Sequence, residues 1–375
     1  MASISLRNLS KVYPGQNGRN LNAVSDLNLE IQDREFVVLA GPPNCGIASV
    51  VRLIAGLDEA SQGEIFVGDR RVNDLAPKDR DVAMVPHSYV PYPRMSVYDN
   101  LAFALTLRKI PKPEIKKRVL AAAGLFGLQE LLERKPGSLS GEQGQRVAIA
   151  RAIALQPKAF LFDRALSTLE TEAQARMRNE IVKLHQRLQV TMIYATHDPI
   201  EAMAISGRTI VMNEGVVQQE GTALSLYDEP ANVAVAEFLG PPMNLVRGTL
   251  KQDRDWLVFR EMEEGTIEVR LPISKFPGAP DFAEGAVLLG IRPEEIEVAE
   301  NTNNTEQQSG RFPALIDRVE PIGRESNLYL QTGAHTLVCR SRRRMDHREA
   351  GHRAQFELNV GKVRLFDPIS SRRVA

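Results

Sequence analysis

The segment Gly41-Pro42-Pro43-Asn44-Cys45-Gly46-Ile47-Ala48-Ser49 has the spacing of a phosphate-binding loop but lacks the two side chains such a loop uses. In that motif glycines let backbone N–H groups curl round a phosphate. A Lys then serves the outer phosphates, and a Ser or Thr hydroxyl serves Mg²⁺. Here Ile47 stands at the Lys position and Ala48 at the Mg²⁺ position. The flanks keep the required setting: Glu35 to Ala40 reads as a buried strand, and Ser49 to Leu57 as a helix closing on a glycine. Gly41 and Gly46 would also suit any tight strand-to-helix turn, so the segment has to be weighed with the rest of the chain.

A chain of 375 residues is long enough for two or three domains with separate cores. Lys plus Arg and Asp plus Glu are equal at 47 each, so no overall field favours nucleic acid or an acidic membrane surface. The N-terminus has no apolar signal core, and no apolar run has the length a bilayer demands. A soluble chain in the cytosol is expected. Cys45 and Cys339 are the only cysteines, which suits a reducing compartment and offers no metal-site spacing.

Up to about Phe238, strand-like apolar runs alternate with helical patterns, the mark of an α/β layered domain. Lys158 to Asp163 and Val190 to Thr196 read as central parallel strands covered on both faces. Between Asp99 and Gln156 helical patterning takes over, including Lys112 to Gly124, which predicts an inserted helical subdomain over about 88–156. Gly240-Pro241-Pro242 then breaks the chain, and the period becomes two in Trp256–Phe259, Thr266–Leu271, Ser326–Leu330 and Lys362–Phe366. Many short strands imply a small barrel. The expected domains are 1–238 and 239–375. The Asn-, Thr- and Gln-rich tract from Glu300 to Gly310 reads as a mobile surface loop. Arg340, Arg342, Arg343, Arg344 and Arg348 lack interleaved aromatics and read as a solvated edge, not a nucleic-acid surface.

Leu139-Ser140-Gly141-Glu142-Gln143, followed by Arg146 to Ala152, resembles the LSGGQ signature of ABC transporter nucleotide-binding subunits. Phe160-Leu161-Phe162-Asp163 resembles the Walker B strand, and Ala195-Thr196-His197-Asp198 the segment with the switch histidine. Lys11-Val12-Tyr13 resembles the aromatic loop that stacks on adenine. Phe238 to Asn244 and Gly290 to Glu294 are similar to phrases of importer subunits for sugars, glycerol phosphate or polyamines that carry an extra OB-like domain. The resemblance covers nearly the whole chain. It implies a P-loop NTPase domain of α/β class, with an inserted helical subdomain, followed by an all-β OB-like regulatory domain.

The departures from the family pattern fall on the chemistry. His87 replaces the Gln that reaches Mg²⁺ and the attacking water, Arg164 the Glu after Walker B, Glu170 the usual D-loop Asp, and Asn44 the second loop glycine. With Ile47 and Ala48 these changes remove charge neutralisation and water positioning together. The resemblance therefore implies an ATP-binding subunit whose own site hydrolyses ATP weakly or not at all. Mg²⁺ ligation there is reduced to Asp163. The backbone at Gly41, Asn44, Cys45 and Gly46, the Ser49 hydroxyl and Tyr13 remain to bind ATP. Arg164 has two readings, a substitute cation for the γ-phosphate or an ion pair with Asp163 or Glu170, and His197 is left with nothing to switch. Ser140, Gly141, Glu142 and Gln143 form the half that would face a partner's ATP, with Glu142 an unfavourable charge there.

The partners so implied are permease transmembrane subunits, contacted through Ser88-Tyr89 and Tyr92 to Asn100, and a second, intact ATPase subunit in a heterodimer. The location implied is peripheral, on the cytoplasmic face of the cell membrane. An ordinary homodimeric motor and a non-transport regulatory module are the alternatives.

Overall fold

The computed structural model describes residues 2–15, 20–88, 90–205, 207–282, 285–299 and 310–374. Residues 300–309 of the expected loop, and Tyr89 of the expected permease surface, lie outside the described residues. The chain forms two compact units that divide between Leu226 and Tyr227.

The first unit contains two sheets. Strands β1 (Ile4–Tyr13), β2 (Leu21–Ile31), β4 (Gln62–Val67) and β5 (Arg70–Arg71) form an antiparallel sheet in the order β2-β1-β4-β5. A second sheet runs β10-β9-β3-β8-β7-β6, built from β3 (Phe36–Ala40), β6 (Val82–Val85), β7 (Ala159–Asp163), β8 (Thr191–Thr196), β9 (Arg208–Asn213) and β10 (Val216–Thr222). All its pairings are parallel except the edge pair β9–β10. The predicted central runs at 158–163 and 190–196 are β7 and β8, and every residue of both strands is buried. Parallel strands in one sheet end on the same side, so Ala40, Val85, Asp163 and Thr196 deliver the loops that follow them to one edge.

Helix α1 (Ile47–Ala55) is only nine residues long, too short to hold itself in water. Its Ile47, Val50, Val51, Leu53 and Ile54 all belong to one buried cluster with Leu6 and Ile31 of the antiparallel sheet and Leu39, Leu161 and Ile193 of the parallel one. Burial between the two sheets makes it a helix. The predicted helical region holds α2 (Val97–Leu107), α3 (Lys112–Leu125) and α4 (Gly141–Ala154); α2 and α4 each begin with a reciprocal capping box, Ser96 with Asp99 and Ser140 with Gln143. A further helix, α5 (Thr171–Leu188), follows β7. Among the described residues no helix is long and apolar enough to cross a membrane.

The second unit holds two five-stranded sheets around one core, in which Phe259, Phe312, Phe356 and Leu330 are fully buried. The period-two segments are its strands, for example Trp256–Glu261, Glu268–Pro272 and Glu325–Gln331, with inward and outward faces alternating. Buried Glu261 links the sheets: its carboxylate accepts from Thr332 Oγ1 at 2.5 Å and from His335 Nδ1 at 2.6 Å. The Gly290-to-Glu294 phrase is structural here. Arg292 donates to the carbonyls of Ala236 (2.8 Å) and Pro241 (2.9 Å) and lies 4.2 Å from the ring centre of Tyr227. Arg364 likewise donates to Asp228 O. These buried cations hold 227–241 to the second unit, and so the units part ahead of the expected boundary at 238.

A third buried arginine sets the end of α1. Arg80, 5 % exposed, donates to the carbonyls of Leu53 (2.7 Å), Leu75 (2.9 Å) and Asn73 (3.0 Å). Gly56, at φ +76°, closes the helix where a Cβ would stand 2.5 Å from Arg80 Nε. Arg80→Ala leaves several buried carbonyls without donors and should cost about 2–4 kcal/mol, seen as a lower thermal midpoint. Arg80→Lys should recover little, because an ammonium lacks the planar fork.

Candidate functional site

The loop leaves β3 at Gly41 and enters α1 at Ile47. A Cβ at Gly41 would stand 2.1 Å from Met212 O, and one at Gly46, φ +103°, would stand 2.2 Å from Ala23 O, so neither position admits a side chain. Asn44, at the second glycine position, has φ +67°. Asn enters this left-handed region more readily than most residues, so the departure there keeps the backbone path. Cys45 N donates to Pro42 O at 3.2 Å, and Gly215 N donates to Cys45 O at 3.1 Å. The Cys45 thiol is buried, and that burial raises its pKa. The helix begins at Ile47, slightly ahead of the expected Ser49.

Ile47 is fully buried in the cluster between the sheets, so the position where the motif carries a cation belongs to the core. Ala48 faces a cleft of about 460 Å³ that also collects His87, Asp163 and Arg164, the three other sequence-distant positions expected to meet there. Arg52 and Arg151 join them. Arg164 follows β7 in a left-handed conformation, φ +48°, fixed by its N–H to Ala195 O at 2.9 Å. Its Nε lies 3.4 Å from Asp163 Oδ1, and Asp163 is only 5 % exposed. This contact is the ion pair with Asp163 that the second reading of Arg164 expects.

Tyr13 is tied by its hydroxyl. It donates to Asp58 Oδ2 at 2.8 Å and lies 3.3 Å from Ser49 Oγ. Asp58 in turn holds both Nε (2.8 Å) and Nη2 (3.1 Å) of Arg52. That bidentate pair keeps the Asp58 carboxyl below the usual range, while burial raises the Tyr13 hydroxyl. Lys11 Nζ stands 4.8 Å from the ring centre of Tyr13. Opposite them, His197 Nδ1 lies 2.8 Å from Gly41 O, so the histidine is anchored on the loop itself. A neutral ring bonded this way carries its proton on Nδ1.

The signature residues sit at the start of α4, away from the loop. Ser140 Oγ accepts from Gln143 N at 3.2 Å, and Ser140 N donates to Gln143 Oε1 at 3.0 Å. The first N–H groups of α4, that of Gly141 among them, have no acceptor within the helix. Glu142 is turned back instead: one oxygen meets Arg146 Nη2 at 3.1 Å and the other Arg176 Nη2 at 2.9 Å. Its expected charge at the signature is thus countered, and the hydrogen bond from Arg176 leads in lowering its pKa.

The chain's own fold therefore gathers Ala48, His87, Asp163 and Arg164, and it places Tyr13, Ser49 and His197 round the same loop. Arg52, Asp58, Arg151 and Arg176 escaped the sequence reading. No local pattern marks them, because each acts across a gap in sequence that only packing closes.

The comparisons with known proteins agree along the chain. Residues 24–167 match the ABC transporter family model, 240–296 the MalK OB fold domain and 289–366 the TOBE domain. The chain is 41 % identical to the oligosaccharides import ATP-binding protein MsmX of Bacillus subtilis (strain 168), over all of both chains. It is 39 % identical to the sn-glycerol-3-phosphate import ATP-binding protein UgpC of Bordetella avium (strain 197N), over 100 % of this chain and 99 % of that one. A dimeric ATP-binding cassette bound to ADP and Pi, in a post-hydrolysis state, superposes on 59 % of this chain and 98 % of its own, with a TM-score of 0.53 at 28 % identity. A phosphate loop, a Walker B strand, a capped signature helix and an OB-like unit in this order make the chain a member of the ABC transporter ATP-binding subunit family, of the type with MalK OB fold and TOBE domains.

Proposed function

We propose that the chain is the nucleotide-binding subunit of an ABC importer for sugars or related small solutes, that its own cleft does not hydrolyse ATP, and that it completes the site of an intact partner ATPase. The observation that carries this reading is the pairing of Asp163 with Arg164. Mg²⁺ is a hard cation that takes oxygen ligands in octahedral array. The Ala48 side chain offers no oxygen, Asp163 is engaged by a guanidinium, and His87, Arg52 and Arg151 also line the cleft. These side chains do not fit the metal. No carboxylate follows Asp163 to orient a water, a loss worth about 10²–10⁴-fold in rate by itself.

Nucleotide still fits the backbone. Gly41 and Gly46 keep the backbone path of a phosphate-binding loop, and Ser49 adds a hydroxyl beside it. The relatives named for oligosaccharide and sn-glycerol-3-phosphate import support the solute class. The retained cap at Ser140 and Gln143 supports a signature able to serve another chain's γ-phosphate. The domain reading in this scheme is a nucleotide-binding domain over 1–238 and an OB-like regulatory domain over 239–375. The dimeric cassette favours a second reading, a homodimeric motor. Subunit composition of a complex purified through a tag on this chain separates the two readings: a distinct second ATPase supports the first, and its absence the second.

Three outcomes are expected. The isolated chain should show no ATPase activity above background; turnover at the family's usual level refutes a silent cleft. Calorimetry should find weak ATP binding that EDTA scarcely changes, whereas Arg164→Ala, by releasing Asp163, should introduce dependence on Mg²⁺. In the complex, Ser140→Arg should abolish hydrolysis while Arg164→Ala costs far less; the reverse ranking means the working half has been assigned wrongly. Ile47→Ala is unsuited as the silent-site control, because truncating a fully buried Ile costs about 2–5 kcal/mol.

A further inference from the structure

Glu142 occupies the first turn of α4, where a carboxylate is drawn to the unpaired N–H groups of the helix start. Those are the groups a nucleotide anion would use. Left to itself, Glu142 would compete with the ligand as well as repel it. The structure prevents this with a chain of charges between two helices. Glu142 Oε1 meets Arg146 Nη2 at 3.1 Å, one turn along α4. Arg146 also meets Glu180 of α5 at 2.7 Å. Glu142 Oε2 meets Arg176 of α5 at 2.9 Å. Glu180 already shares Arg146, so Arg176 is the cation committed to Glu142 on its second oxygen. Arg176 touches Glu172 more loosely, at 3.6 Å.

We propose that Arg176 is a positioning residue for the nucleotide at the signature: it draws the Glu142 carboxylate back against α5 and keeps the N-terminus of α4 open to an anion. The proposal rests on the reading above, in which Ser140 and Gly141 receive a partner's γ-phosphate. It adds a residue on another helix with no contact of its own to that phosphate. The depressed pKa of Glu142, with the Arg176 hydrogen bond as its largest cause, agrees with a carboxylate held charged and turned away.

The test uses the transporter complex purified through a tag on this chain, with ATPase rate measured against ATP concentration. Arg176→Gln should raise KM for ATP by about three- to tenfold, with kcat within about twofold, because a released carboxylate acts on anion binding before chemistry. Glu142→Gln combined with Arg176→Gln should return KM to the wild-type value, a rescue that a merely structural role of Arg176 would not give. Arg176→Lys, which keeps the charge, should fall between. An unchanged KM in Arg176→Gln, or a double variant as poor as the single one, overturns the proposal alone. An inactive wild-type complex, or one indifferent to Ser140→Arg, overturns the signature reading and this role with it.

Discussion

A Cβ at Gly41 would meet Met212 O at 2.1 Å and one at Gly46 would meet Ala23 O at 2.2 Å, so the turn between β3 and α1 is gripped from both sheets of the first unit. The rest of the site hangs on that grip. It starts α1 at Ile47 and gives His197 a carbonyl at Gly41 to hold. A backbone fixed this firmly does not depend on the side chains at 47 and 48. The loop can therefore hold its form with Ile47 and Ala48 at these positions, since its shape comes from sterics and burial.

Charge is handled the same way at both ends of the nucleotide-binding unit: an unfavourable group is held by a neighbour rather than left to solvent. Asp163, nearly buried, faces Arg164. Glu142 faces Arg146 and Arg176. The consequences differ because the places differ. Pairing at Asp163 occupies the group a metal would need, whereas pairing at Glu142 clears the helix end an anion would need. These two pairings are the basis of the proposal that the subunit works through a partner.

The second unit obeys a simpler logic. Its two sheets enclose an apolar core, and buried Arg292 and Arg364 tie the preceding segment to it through backbone carbonyls. A guanidinium has five donors in one plane, so each arginine can collect carbonyls from separate turns of chain. This explains why Gly290 to Glu294 is a recognisable phrase: Arg292 within it ties two turns of chain to the core.

Much was legible in the sequence because local order is written locally. Period two marked the strands of the second unit, and apolar runs marked β7 and β8. The convergence of Ala48, His87, Asp163 and Arg164 on one cleft was legible too, since the loop and strand around each are distinctive. Folding decided what those positions do. Arg164 faces Asp163 because the turn after β7 places it in a left-handed conformation. Tyr13 reaches Asp58 and Ser49 because β1 packs beside the start of α1. Arg176 reaches Glu142 because α5 lies along α4. Hydrogen bonds and ion pairs act over about 3 Å, a distance that sequence spacing does not report once the chain has turned back on itself.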